Sequence, residues 1–143
     1  MDIVTHAVVG AATGAAFGRP FAGMAFAVLP DLFLFSVKRR DTPTAAYNAS
    51  HSFAGLVLVT ILAGLYAPSL GGVAFFAYAS HIVLDVPTHG ERWAPPLMWP
   101  SKRRYSMGDE WEWFNYSWFH GAFLAILWII VCLPLSLSHI GSR

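Results

Sequence analysis

Residues 71–90 read GGVAFFAYASHIVLDVPTHG. Positions 71–80 carry no charge; His81, Asp85 and His89 then arrive four residues apart. A helix brings residues i and i+4 onto one face, so this run sets an imidazole beside a carboxylate within an apolar segment. Ionisable groups inside a membrane are costly and mark functional sites by default. Pro87 has no amide hydrogen to donate, so a distorted last turn is expected. His89 keeps to the ligand face only if the helix continues.

The rest of the chain is equally apolar. Of 143 residues, 56% are hydrophobic and 12% charged, with a mean hydropathy of +0.52. Soluble domains carry about 25% charge, so a water-facing surface would be hard to build. Five apolar segments, at 3–17, 21–37, 53–67, 71–87 and 118–137, are separated by Gly, Pro and charge. Gly18-Arg19-Pro20 breaks the first from the second, and residues 68–72 are expected to break the third from the fourth. The pattern predicts an all-α fold, a polytopic membrane helix bundle of about five helices, as a single domain over 1–143. Small residues such as Gly10 and Gly14 crowd the first segment, which suits close packing in lipid. A spanning helix needs about 20 residues, and only the last segment clearly reaches that. Bilayer thinning, snorkelling or oligomerisation absorbs such mismatch, and the oligomeric state stays open.

Other classes are excluded by composition. No broad basic face points to nucleic acid. The single cysteine, Cys132, rules out a disulfide framework and reads as a small hydrophobe. No Lys or Arg precedes Arg19, so no cleaved leader is expected.

If all five segments span, the N-terminus and the loops 38–52 and 88–117 share one side. That side carries Lys38, Arg39, Arg40, Arg92, Lys102, Arg103 and Arg104, seven of the nine basic residues; Arg19 and Arg143 fall on the other. Positive-inside asymmetry then makes it the cytoplasmic side of an inner (plasma) membrane.

The same alternation gathers potential ligands there. His6 lies near the start of the first segment and Asp31 near the end of the second. His51 opens the third, His81 and Asp85 close the fourth, and His89 lies just beyond. Imidazoles with carboxylates suit a divalent metal, zinc first and manganese or iron next. Six candidates exceed one tetrahedral zinc and suit two or more ions, which together can activate water in ester or phosphoester cleavage. Each residue taken singly has a plainer alternative, a polar group cementing helices; six converging favour ligation. Thr5, Ser52 and Thr88 adjoin ligands as supporting partners or, for the last two, as helix caps.

Lys102-Arg103-Arg104 satisfies the positive-inside pattern, and Arg104 is the first candidate to bind a substrate anion or an anionic lipid. Trp93, Trp99, Trp111, Trp113 and Trp118, with Tyr105 and Tyr116, read as an interfacial aromatic belt. His120 reads as an interfacial residue or a further ligand, and His139 as a surface residue.

Met1-Asp2-x-x-Thr5-His6, Pro30-Asp31, His51-Ser52 and His81-x-x-x-Asp85-x-x-Thr88-His89-Gly90 together resemble the YdjM family, LexA-regulated or similar inner-membrane proteins read as metal-dependent hydrolases. Trp99-Pro100-Ser101 and Arg104-Tyr105-Ser106 are similar to the family's W-P-F-S and R-x-S stretch, without its Phe. The resemblance covers most of residues 1–107. It implies metal binding by His6, Asp31, His51, His81, Asp85 and His89. The His-x-x-x-Asp element also resembles, over a few residues, the zinc-dependent phospholipase C and nuclease group, which implies phosphoester chemistry. The expected function is a membrane hydrolase acting on a lipid-like or phosphorylated small-molecule substrate at the cytoplasmic face. Asp31 or Asp85 would double as general base. Metal or proton transport, and non-catalytic metal binding, are the alternatives.

Overall fold

In the computed structural model, which describes residues 3–36, 43–107 and the helical positions 122, 125–130, 132, 134 and 137, the chain doubles back early. Helix α1 (Ile3–Ala15) and helix α2 (Pro20–Val28) are joined by a turn in which Gly18 sits at φ 68°, a region that costs glycine no Cβ clash. The two helices then touch backbone to backbone. A Cβ on Gly10 would meet the Ala27 Cβ and lie 2.6 Å from the Gly23 carbonyl oxygen; one on Gly14 would meet the Arg19 carbonyl oxygen and lie 2.8 Å from the Gly23 Cα. Small residues permit this approach in the way they do between membrane helices.

Past Val28 the chain tightens into a 3-10 segment, Leu29–Ser36, which carries Asp31. A short helix α3 (Ala45–Ser50) then appears within the stretch expected to be loop. The Thr44 hydroxyl caps it by accepting from the Tyr47 amide at 3.2 Å. Helix α4 (Phe53–Tyr66) is capped by Ser52, whose hydroxyl accepts from the Gly55 amide. The cap reading of Ser52 therefore holds.

Helix α5 (Pro68–Thr88) begins earlier than the expected segment. Residues 68–72 do not break the chain. Pro68 is the first residue of the helix, where its missing N–H would have had no partner anyway. Pro87 lies inside the last turn, and the His89 amide still reaches the Asp85 carbonyl at 3.1 Å. The helix is 21 residues long, about 31 Å at 1.5 Å per residue. Among the described residues it is the one helix long and apolar enough to cross a membrane. Helices α1 and α4, and α2 with the start of its extension, are apolar but shorter, so five full spans are not established by length.

What the fold does display is polarity turned inside out. Thr13, Ser50, Ser80, His81 and Asp85 are buried, whereas Leu58, Ile61, Leu62 and Leu65 along α4 are exposed, Leu65 at 78%. Such an apolar face marks a surface that meets a membrane or a partner. Inside, Leu56 of α4 packs on Tyr78 and Ile82 of α5, and Leu97 from the following loop covers them. Val9 of α1, Leu84 of α5 and Ala125 form a second cluster under Trp128, whose indole N–H donates to Thr13.

Gly10→Ala is expected to lower the melting temperature in detergent, by overpacking worth about 1–3 kcal/mol. Gly64→Ala, whose added Cβ meets only the Gly71 Cα at 3.8 Å, should leave it unchanged or raise it. Equal melting of both variants would mean the α1–α2 contact is not tight.

Candidate metal centre

Five pieces of chain terminate at one place. His6 sits in the first turn of α1, Asp31 on the 3-10 segment, and His51 at the junction of α3 and α4. His81 and Asp85 occupy the last two turns of α5, and His89 follows its end. All six expected ligands are brought together, and all six are buried, His51, His81 and Asp85 completely.

Asp85 is the hub. Its Oδ1 lies 3.0 Å from His6 Nε2 and 3.2 Å from His89 Nδ1; its Oδ2 lies 3.1 Å from His81 Nε2 and 3.5 Å from His51 Nε2. The i to i+4 spacing that suggested His81, Asp85 and His89 share a face is realised in these contacts. Asp31 Oδ1 stands 3.6 Å from His51 Nε2 and 3.7 Å from His81 Nε2. Ring stacking holds the imidazoles in place, His6 on His81 with centroids 3.6 Å apart and Tyr47 on His51 at 3.8 Å.

The tautomers follow from the backbone. His81 Nδ1 is 2.6 Å from the Ala27 carbonyl oxygen, and His51 Nδ1 is 3.0 Å from the Tyr47 carbonyl oxygen. A carbonyl only accepts, so each Nδ1 carries a proton. The two Nε2 atoms face one another at 3.1 Å. With both unprotonated, their lone pairs would repel unless a cation, a metal ion or a proton, lay between them. Burial pushes the His51 imidazole below its ordinary value, against the opposing pull of Asp31.

The residues fit a divalent ion. A tetrahedral ion with bonds of about 2.0–2.2 Å spaces its ligand atoms roughly 3.3–3.6 Å apart, and the separations here cluster around that range. His6, His81 and Asp85, and separately Asp31, His51 and His81, each gather ligand atoms within 4.8 Å. Buried carboxylates without cationic partners would be strongly destabilising. The Nδ1 of His6 has no hydrogen-bond partner among the described residues.

Several supports were not anticipated from the sequence. The Tyr78 hydroxyl donates to the Ser50 carbonyl at 2.7 Å, and the Ser50 hydroxyl reaches the Pro30 carbonyl at 3.2 Å beside Asp31. Tyr47, four residues before His51, both stacks on its ring and supplies its carbonyl; that spacing was the available signal. Thr88 donates to the Leu84 carbonyl of its own helix.

Arg104 lies on a strap, residues 90–107, that crosses the helix ends. Its two terminal nitrogens donate to the Ala94 carbonyl and the Asn48 side-chain oxygen, both at 2.8 Å. Ser106 donates to the His89 carbonyl, and the Met107 amide to that of Val86. The Tyr47 hydroxyl donates to the Trp93 carbonyl at 2.7 Å. Arg104 is thus a structural anchor of the strap, with guanidinium hydrogens left over from five. Lys38, Arg39, Arg40, Trp111, Trp113, Tyr116, Trp118, His120, His139 and Arg143 lie outside the described residues.

The family model described as YdjM inner membrane protein matches residues 1–141. No curated protein and no solved structure matches the chain.

Arg104→Ala should loosen the strap by roughly 1.5 kcal/mol, the low end for hydrogen bonds to charged groups. Faster amide exchange over 90–107 with unchanged metal content would show it; unchanged exchange would count against the anchor.

Proposed function

The chain belongs to the YdjM inner membrane protein family, and on that premise we propose that it is a metal-dependent hydrolase of the inner membrane, acting on a phosphoester or lipid-like substrate at the cytoplasmic face. The observation that carries the reading is the opposition of His51 Nε2 and His81 Nε2 at 3.1 Å, each with its Nδ1 proton committed to a backbone carbonyl. That arrangement suits a divalent cation, zinc by donor type and manganese or iron next. When bound, such an ion supplies Lewis acidity toward an ester or phosphoryl oxygen and lowers the pKa of water.

The protein's own groups do the rest. His6, His51, His81, His89 and the carboxylates of Asp31 and Asp85 hold the metal. Asp31, at 6% exposure against 0% for Asp85, is the carboxylate positioned to accept a proton from an incoming water. Arg104 retains N–H groups for an anionic substrate oxygen while anchoring the strap. Several passes of the membrane, with the N-terminus inside, are part of this reading, supported by the exposed apolar face of α4 and the one-sided distribution of basic residues.

A second reading, metal binding without turnover, is favoured by the complete burial of His51, His81 and Asp85. The two separate cleanly. Detergent-purified protein is expected to contain divalent metal in whole-number stoichiometry. That metal should be lost as pH falls below about 6, because ligating imidazoles must be unprotonated. The His81→Ala, Asp85→Ala double variant should hold none. Chelator-sensitive cleavage of a chromogenic phosphoester or of vesicle phospholipid would support the hydrolase; metal without turnover would support the second reading. Metal-free wild-type protein would sink both.

A further inference from the structure

We propose that the tip of the strap, residues 98–103, docks on the anionic lipid surface of the membrane, with Lys102 and Arg103 on phospholipid phosphates and Met98 and Trp99 in the interface beside them. The inference rests on membership of the inner-membrane family and needs neither a metal nor turnover.

The strap passes from buried to exposed within two residues. Ala94, Pro95 and Pro96 are buried, and Leu97 packs on the Leu56, Tyr78 and Ile82 cluster. The next six residues are all exposed: Met98 at 58%, Trp99 at 38%, then Pro100, Ser101, Lys102 and Arg103. Arg104 turns back inward, to the Ala94 carbonyl and the Asn48 side chain. The basic triplet is thus divided, one cation holding the strap and two presented outside it. Backbone hydrogen bonds set the shape of the tip. The Trp99 amide donates to the Pro96 carbonyl and the Ser101 amide to that of Met98, both at 2.9 Å; the Tyr105 amide closes the neck on the Pro95 carbonyl at 3.2 Å. A tip braced in this way has little freedom left to lose on binding.

Position and charge identify the occupant. The Leu97 carbonyl accepts from the Phe53 amide at 3.0 Å, which pins the base of the tip to the first residue of α4. The exposed apolar face of that helix begins there, with Phe53 and Val57, so Met98 and Trp99 stand next to its end. Tryptophan is favoured at a membrane–water boundary. The strap carries four basic residues, Arg92, Lys102, Arg103 and Arg104, against one acid, Glu91. The Arg103 guanidinium lies 5.2 Å from the centre of the Tyr105 ring; stacking of this kind uses the face of the group and keeps its edge donors for a phosphate. A soluble anion would use the cations and leave Met98 and Trp99 in water, whereas a leaflet surface occupies both. Each Lys or Arg near an anionic surface strengthens attachment about fivefold.

Delipidated protein in detergent, titrated with phosphatidylglycerol or phosphatidylcholine and read by native mass spectrometry, tests the surface. The Lys102→Gln, Arg103→Gln double variant should bind phosphatidylglycerol roughly 25-fold more weakly than wild type, about fivefold for each charge, with phosphatidylcholine binding and metal content unchanged. A nitroxide attached through Met98→Cys in a Cys132→Ala background reads the position of the tip. In nanodiscs containing phosphatidylglycerol the label should be more accessible to oxygen than to a nickel chelate, and it should lose that preference in the double variant. Equal phosphatidylglycerol affinity of wild type and double variant, a label fully open to the nickel chelate, or spin–spin broadening from a second copy of the chain would overturn the docking. Metal-free protein that still binds phosphatidylglycerol through these residues would bring down the hydrolase reading and leave the docking standing.

Discussion

Two imidazoles whose Nε2 atoms stand 3.1 Å apart are held in place by everything around them. Their other nitrogens are bonded to the carbonyls of Ala27 and Tyr47, and their faces are stacked on His6 and Tyr47. Neither ring can turn away without leaving a buried donor unpaired, which costs about 1–3 kcal/mol. Two carboxylates complete the cluster in an interior where unpaired charge is expensive. The surrounding structure has to supply rigidity enough to hold these groups together, and a cation makes the arrangement favourable.

That rigidity is built from contacts far from the ligands. The touching backbones of Gly10, Gly14 and Gly23 fix α1 against α2. The fixed pair sets His6 and Asp31 at the same end of the molecule, and it sets the Ala27 carbonyl against His81. Tyr78 and Ser50 tie α5, α3 and the 3-10 segment together by hydrogen bonds to backbone. Over the cluster lies the strap, pinned by Arg104, Ser106 and the hydroxyl of Tyr47. Supports that end on carbonyls are suited to this task, because helix geometry positions a carbonyl more firmly than a side chain.

The distribution of polarity connects the centre to the membrane. In water the driving force would bury Leu58, Ile61 and Leu62, yet these are exposed while Ser80, His81 and Asp85 are enclosed. Lipid around the apolar face removes that penalty and excludes water from the polar interior, where electrostatic contacts are strengthened. Membership of an inner-membrane family agrees with this arrangement. On the proposed reading the lipid-facing shell and the metal centre are two consequences of one apolar sequence interrupted at six positions.

The all-helical character, the inner-membrane family and the six polar residues that cluster were legible in the chain itself. Apolar runs fix helices through local periodicity, and His or Asp within such runs is conspicuous against its surroundings. The i to i+4 relation of His81, Asp85 and His89 needed only helix geometry. The start of α5 was misread because Pro68 was taken as part of a break, when at a first turn its missing N–H has no cost. Tyr47 was signalled only by its i to i+4 spacing to His51, whereas Ser50, Tyr78 and the Ala27 carbonyl were invisible, since hydrogen bonds to backbone acceptors across 20 to 54 residues leave no periodic trace. The sequence by itself determined which polar groups would stand out in the apolar chain and that they would lie toward one end. Only the tertiary structure decided that Asp85 turns its two oxygens to different histidines, because that depends on distances between four separate elements and not on order along the chain.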